Sequence, residues 1–129
     1  MQNVERVFII GMGGFVGANL RYLVQGWAAA RWGAAFPYGT LIANTSGSFL
    51  IGLFLTLATG RFLISPNWRF FLAVGILGGY TTFSSFSYET LSLAAGGALV
   101  RAVANLLLNV VLGLSAAFLG IGLARWLGR

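Results

Sequence analysis

The sequence lacks cysteine, histidine and lysine, and its only acidic residues are Glu5 and Glu89. Without cysteine there is no disulfide or thiolate metal site, and without histidine there is no imidazole ligand or histidine general base. Charged residues make up 8% of the chain, whereas about 25% is usual for a soluble domain. Such a chain cannot cover a surface that faces water. Its composition, 58% hydrophobic, therefore predicts an integral membrane protein and does not indicate an enzyme.

All eight basic residues are arginines, and the formal net charge is +6 at pH 7. Nucleic-acid binding needs basic residues clustered on one exposed face. Here the arginines lie at the ends of apolar runs, where arginine anchors a membrane span at the lipid headgroups. We therefore predict contact with membrane lipid and no nucleic-acid partner.

Four apolar segments approach the length of about 20 residues that a helix needs to cross a bilayer. They cover roughly residues 4–29, 40–59, 70–95 and 99–123, and Gly, Pro and Arg collect between them. We interpret the first as a span rather than a cleaved signal peptide because of its length and the position of Glu5. The sequence thus predicts one all-α transmembrane domain over residues 1–129.

The four predicted spans would place both termini on the same side of the membrane. The arginines show a modest excess on that side, so the positive-inside rule favours cytoplasmic termini only slightly. Insertion in both orientations therefore stays open.

Small residues four apart recur in three of the segments, at Gly13 and Gly17, at Ala43 and Gly47, and at Ala116 and Gly120. Such pairs let helix backbones approach closely in lipid. They predict helix packing, either within one subunit or between two.

Polar side chains lie inside the second and fourth segments. NTSGS begins with Asn44, and Asn105 and Asn109 stand four residues apart, on one face of a helix. An amide in hydrocarbon must find a partner or water, so we expect these faces to point inward. Interhelical hydrogen bonds would explain any one of these residues, whereas the set is better explained by a polar track.

The third segment contains the polar stretch GGYTTFSSFSYE, from Gly78 to Glu89. Each glycine costs about 1 kcal/mol in a helix relative to alanine, and the following hydroxyl residues compete for the backbone. We therefore predict that the third helix is broken near its middle, at the glycines. Transporters aim backbone groups at ions from such breaks, and freed carbonyls suit a small hard cation such as Na⁺.

The polar track offers N–H and O–H donors, with no carboxylate inside the spans between Glu5, at the very start of the first, and Glu89, and this favours an anion as the passing species. Arg21 adds a positive charge, either toward the track or as a headgroup anchor. Phe83 and Phe86 are three residues apart, and their positive ring edges could face an anion. For this pair taken alone, ordinary packing is the simpler explanation.

GGYTTFSSFSYE, together with GTLIAN at residues 39–44 and GANLRY at residues 17–22, resembles the small four-span fluoride channels known as Fluc or CrcB proteins. The resemblance covers nearly the whole chain. It implies an antiparallel, dual-topology homodimer with two pores in the cell inner membrane or plasma membrane. It also implies passive, fluoride-selective export that lowers fluoride toxicity in the cytoplasm.

The resemblance further implies roles for individual residues. Phe83, Phe86 and Asn44 would line the pore, and Arg21 would match a vestibule arginine. The backbone carbonyls of Gly78 and Thr81 from both subunits would hold a structural Na⁺ at the dimer centre. The rest of the expected pore or anion-binding set is Asn109, Thr82 and Ser85. Asn105 departs from the family pattern, because some members have a pore-facing tyrosine there, and the position of Glu89 does not by itself reveal its role.

Two other function classes stay open at this point. A four-span secondary transporter or drug exporter would be expected to bind a cationic substrate at a carboxylate in its first span, and Glu5 lies too near the terminus. A non-transporting assembly factor would explain the packing motifs but not the polar track.

Overall fold

The computed structural model describes residues 2–60 and 64–128, so Arg61 and Arg129 lie outside the described part of the chain. Within the described residues, all regular secondary structure is helical. The elements are α1 (Gln2–Trp32), α2 (Tyr38–Thr59), α3 (Pro66–Arg69), a π-helical segment (Phe70–Leu77), α4 (Gly78–Tyr80), α5 (Phe83–Ala95) and α6 (Leu99–Leu127).

The helices form four spans that are long and apolar enough to cross a membrane: Asn3–Trp32, Tyr38–Thr59, Pro66–Ala95 and Leu99–Leu127. The all-helical, four-span prediction is therefore confirmed. All except the second extend several residues beyond the predicted bounds. A helix satisfies its own backbone hydrogen bonds, so it continues through the polar flanks of an apolar core.

The third span is interrupted, but later than predicted. Gly78 and Gly79 are helical, which corrects the expectation that the glycines unwind. The extended residues are Thr81 (φ −81°, ψ 154°) and Thr82 (φ −153°, ψ 116°). Threonine adopts extended backbone readily because its side chain is β-branched. Gly79 serves packing instead, because a Cβ there would lie 2.8 Å from the carbonyl oxygen of Gly14 in α1.

Close helix contacts within one subunit use all three predicted small-residue pairs, and a Cβ on Gly47 would overlap the side chain of Thr81. A Cβ on Gly17 would overlap the carbonyl oxygen of Ile76 in the π-helical segment, and a Cβ on Gly120 would overlap that of Phe49 in α2. A Cβ on Gly52 would likewise lie 2.5 Å from the carbonyl oxygen of Ala117. These glycines therefore hold α1 against the third span and α2 against α6, which settles their role in favour of packing within the subunit.

The interior of the bundle is small and partly polar. Its buried apolar residues are mostly alanines, and the largest fully buried side chains are Asn105 and Thr40. Large apolar side chains such as Phe8 and Phe15 are exposed. This arrangement suits a bundle in lipid, where packing and polar contacts replace the hydrophobic drive between helices.

Candidate functional site

Asn44 of α2 binds both backbone groups of Thr82 at the break in the third span. The Thr82 N–H donates to Asn44 Oδ1 at 2.8 Å, and Asn44 Nδ2 donates to the Thr82 carbonyl at 3.1 Å. In a continuous helix the Thr82 N–H would donate to the Gly78 carbonyl instead. The amide of Asn44 therefore compensates for the interrupted helix, a role that its position in the sequence did not reveal.

Arg21 lies beside the same break. Its Nε donates to the Gly79 carbonyl at 3.1 Å, and the side chain is partly buried. That carbonyl would accept from Phe83 in a continuous helix. Arg21 thus satisfies a backbone acceptor well inside the first span, and its charge stands next to the helix break.

Thr82 and Ser85 begin the second half of the third span. Thr82 is the N-cap residue of α5, and its Oγ1 accepts from the Ser85 backbone N–H at 3.1 Å. The Thr82 hydroxyl also lies 3.1 Å from Ser85 Oγ. A hydroxyl at this position satisfies one of the free N–H groups of the first helical turn. The two residues therefore restart the helix.

The predicted amides of α2 and α6 meet inside the bundle. Asn44 Nδ2 donates to Asn109 Oδ1 at 3.0 Å, and Asn109 Nδ2 donates to Asn105 Oδ1 at 3.0 Å. Asn105 is completely buried and Asn109 nearly so, with 0% and 8% of their surface exposed. The expectation that these amides face inward is confirmed.

An open groove of about 300 Å³ lies over these groups. Six predicted residues line it, namely Asn44, Thr81, Thr82, Phe83, Phe86 and Asn109, and no carboxylate is among its lining residues. We call this surface the amide groove. Its polar groups are amides and hydroxyls. The N–H groups of both amides donate within the subunit, and a hydroxyl can donate a hydrogen bond to an anion.

The two phenylalanines of the amide groove differ in burial. Phe86 is 6% exposed, whereas Phe83 is 78% exposed. Their rings meet edge to face, with centroids 5.4 Å apart and planes at 66°. Phe86 therefore belongs to the subunit interior, and Phe83 projects from it.

A second and larger open cavity, of about 650 Å³, is lined by Gln25, Thr40, Ser85 and Glu89 among others. Gln25 Nε2 donates to Thr40 Oγ1 at 3.1 Å, and Thr40 Oγ1 donates to Glu89 Oε1 at 2.7 Å. The other oxygen of Glu89 has no hydrogen-bond partner among the described residues. Sequence reasoning singled out neither Gln25 nor Thr40, although Thr40 lies within the motif GTLIAN.

The predicted site residues thus lie at different places. Six line the amide groove, Ser85 lines the second cavity, and Arg21 stands at the break. Gly78 is exposed on the subunit surface, and Thr81 both lines the groove and forms the break.

Comparison with known proteins identifies the family. The family model described as "CrcB-like protein, Camphor Resistance (CrcB)" matches residues 8–121. The chain belongs to the CrcB family. A relative from Roseiflexus sp. (strain RS-1) is 50% identical to this CrcB chain over 119 residues, which cover 92% of the chain and 96% of the relative.

Two further relatives are similar over comparable lengths. One from Clostridium perfringens (strain 13 / Type A) is 49% identical over 122 residues, covering 95% of the CrcB chain and 94% of the relative. One from Chloroflexus aurantiacus (strain ATCC 29366 / DSM 635 / J-10-fl) is 46% identical over 125 residues, covering 97% and 99%. All three relatives carry the name "Fluoride-specific ion channel FluC". The resemblance inferred from the motifs is therefore confirmed.

Family membership and the four spans make this CrcB chain a multi-pass membrane protein. They also favour an ion channel over a drug exporter. The position of Glu5 agrees, because its Oε1 accepts from Asn67 Nδ2 at 3.2 Å on an exposed part of the chain. The carboxylate that an exporter would be expected to use is therefore held at the start of α1, away from the polar interior.

Proposed function

We propose that this chain forms a passive, fluoride-selective channel that exports F⁻ from the cytoplasm. The observation that carries the proposal is the amide groove, which combines polar amide and hydroxyl groups with two aromatic rings and has no carboxylate among its lining residues. Hydroxyl donors can replace part of the hydration shell of a small anion, and ring edges carry the positive part of the aromatic quadrupole. The names of the relatives support fluoride as the anion.

The direction of transport follows from electrostatics and weak-acid chemistry. HF crosses membranes as a neutral molecule and dissociates in a less acidic cytoplasm, which traps F⁻ there. An inside-negative potential drives an anion outward with about 2.3 kcal/mol per charge per 100 mV. A selective pore then suffices for export, without a catalysed reaction. The expected location is the cell inner membrane or plasma membrane.

The working unit is proposed to be an antiparallel homodimer. The amide groove is open on one side, and Phe83 exposes 78% of its surface. A second copy facing this groove would enclose the pathway and cover the ring, and a two-fold pair would build two equivalent pathways. The small arginine bias of the chain is compatible with insertion in both orientations.

The carbonyls of Gly78 and Thr81 are proposed to hold a structural Na⁺ between the two copies. Gly78 is exposed, and its carbonyl has lost its usual donor because the Thr82 N–H is bound to Asn44. Two carbonyls from each copy would give a set of oxygen ligands that a hard cation prefers. The ion would hold the two breaks together, while Asn44 and Arg21 keep each break in its own subunit.

Efflux from liposomes tests this function. Vesicles containing purified protein are loaded with potassium fluoride or potassium chloride, a potassium ionophore is added so that K⁺ leaves with the anion and no opposing potential builds up, and release is followed with an ion-selective electrode. We expect rapid fluoride release with little chloride release, whereas vesicles without protein retain both anions. Absence of rapid fluoride release, or equal release of chloride, would refute the proposal.

A further inference from the structure

A series of hydrogen bonds leaves α5 at the helix break and passes through α2 to α6. The backbone N–H of Thr82 donates to Asn44 Oδ1 at 2.8 Å, and Asn44 Nδ2 donates to Asn109 Oδ1 at 3.0 Å. Asn109 Nδ2 then donates to Asn105 Oδ1 at 3.0 Å. Each amide oxygen in this part of the series accepts from the residue before it.

The same series returns to α5 through Thr90. Asn105 Nδ2 donates to Thr90 Oγ1 at 2.9 Å, and the Thr90 hydroxyl donates to the Phe86 carbonyl at 2.7 Å. We call the whole series the amide relay. Its members, in order, are Thr82, Asn44, Asn109, Asn105, Thr90 and Phe86.

The amide relay has one direction. At one end is a backbone N–H, which can only donate, and at the other is a backbone carbonyl, which can only accept. Turning any one amide by half a rotation would place donor against donor on one side and acceptor against acceptor on the other. Buried hydrogen bonds that point the same way also strengthen one another. The two ends on α5 therefore set the orientation of every amide between them.

This orientation matters because Asn44 and Asn109 line the amide groove. The side-chain oxygens of Asn44, Asn109 and Asn105 all accept from relay members. Both N–H groups of Asn44 Nδ2 donate within the subunit, to the Thr82 carbonyl and to Asn109 Oδ1, and both of Asn109 Nδ2 donate to the carbonyl and the Oδ1 of Asn105. The relay therefore fixes the position and the rotation of the two amides that an anion would pass in the groove. Asn105 and Thr90 do not line the groove, yet they orient the amides that do.

We propose that Thr90 and Asn105 are positioning residues that hold the amides of Asn44 and Asn109 in one orientation beside the proposed fluoride pathway. The inference rests on the proposed function and extends it to two residues behind the pathway.

Substitution of Thr90 provides the test, because valine has the same shape without the hydroxyl. Thr90→Val leaves the buried Nδ2 of Asn105 without its acceptor. Rotation of the Asn105 amide toward another acceptor then becomes favourable, and this rotation breaks its hydrogen bond with Asn109 and in turn disturbs Asn44. We expect fluoride efflux to fall by about tenfold, in line with the cost of one unpaired buried donor. We also expect the preference for fluoride over chloride to fall. Thr90→Ser keeps the hydroxyl and should restore both quantities, which a purely steric role would not explain.

Thr59→Val is the matched control. Thr59 Oγ1 donates to the Leu55 carbonyl at 2.9 Å, as Thr90 does to its own i−4 carbonyl, but Thr59 is exposed near the end of α2. This variant should behave as the wild-type protein. A double variant, Thr90→Val with Asn105→Leu, should lose less than the sum of the single losses, because both partners of one contact are removed together.

The outcomes separate the two proposals. Wild-type fluoride efflux together with an unchanged Thr90→Val variant overturns the positioning role and leaves the channel function intact. Wild-type protein that releases no fluoride overturns the channel function and with it the role of the relay. If Thr90→Val is not recovered as folded protein, Thr90→Cys replaces it, because a thiol is a weaker acceptor of similar size. An efflux rate and selectivity equal to those of wild type in that variant would equally overturn the positioning role.

Discussion

Asn44→Asp is the sharpest perturbation of the amide groove, because it changes charge and hydrogen-bonding capacity with little change of shape. The carboxylate could still accept from the Thr82 N–H at 2.8 Å. It could not donate to the Thr82 carbonyl or to Asn109 Oδ1, and these acceptors lie at 3.1 and 3.0 Å. Oxygen would therefore face oxygen at two close contacts.

The effect on anion passage follows from Coulomb's law. Two like charges about 4 Å apart repel by about 4 kcal/mol at an effective dielectric constant of about 20. A barrier raised by that amount slows passage on the order of a thousandfold, since each 1.36 kcal/mol corresponds to about tenfold in rate. We therefore expect fluoride efflux from liposomes to fall by about three orders of magnitude.

Two controls make this prediction specific. Asn3→Asp introduces the same charge at an exposed position in the first turn of α1, where a carboxylate is tolerated, and should leave efflux unchanged. Asn44→Ala removes three hydrogen bonds without adding charge and should cost about 2 kcal/mol of stability, from about 0.6 kcal/mol per bond in a membrane. Folded Asn44→Asp protein whose efflux stays within about tenfold of wild type would refute the electrostatic argument.

Four further predictions concern the phenylalanines, the helix packing, the cation and the orientation. Phe83→Ile should cut fluoride efflux by at least about tenfold, because it removes the aromatic ring from the groove. It should leave dimer elution unchanged, because isoleucine keeps an apolar side chain on the face that the second copy would cover. Near-normal efflux would return Phe83 to a packing role. Gly17→Ala should lower the free energy of unfolding by about 1–3 kcal/mol, because the added methyl group overlaps the Ile76 carbonyl. Gly11→Ala is the control, because a methyl group at that position meets open space. Equal stability of the two variants would contradict the close contact. Protein prepared without Na⁺ should lose efflux and regain it on addition of Na⁺, so full activity in Na⁺-free protein would argue against the proposed cation. Because the chain has no cysteine, a single cysteine introduced at either terminus gives a unique label, and labelling from only one side of the membrane would contradict dual orientation.

The polar residues of the third span show where sequence reasoning fell short. The glycines of GGYTTFSSFSYE predicted the existence of a break, and the break lies instead at Thr81 and Thr82. Its position depends on Asn44, which is 38 residues from Thr82 in the chain, and on Arg21, which is 58 residues from Gly79. Local propensity carries no information about partners at such separations.

The phenylalanines give a second example. A spacing of three places Phe83 and Phe86 on neighbouring positions of one helix face, and it could not indicate that one ring is buried and the other exposed. Within the subunit α5 packs mainly against α6, and which of the two rings is covered depends on that packing and not on the spacing. The spacing of Asn105 and Asn109 was more informative, because two amides on one apolar helix have few ways to be satisfied except by facing inward.

The amino-acid sequence by itself determined that this protein lies in a membrane, that it is helical and that it has four spans. The scarcity of charge excludes a surface that faces water, and the apolar runs have the length of membrane-spanning helices. Its motifs also determined the family. Only the tertiary structure decided where the third helix breaks, which carbonyls lose their donors, and how Asn44, Asn109 and Asn105 connect into a relay with one direction. These features are hydrogen bonds between helices that are distant in sequence. Their geometry exists only once close glycine contacts have brought the backbones together.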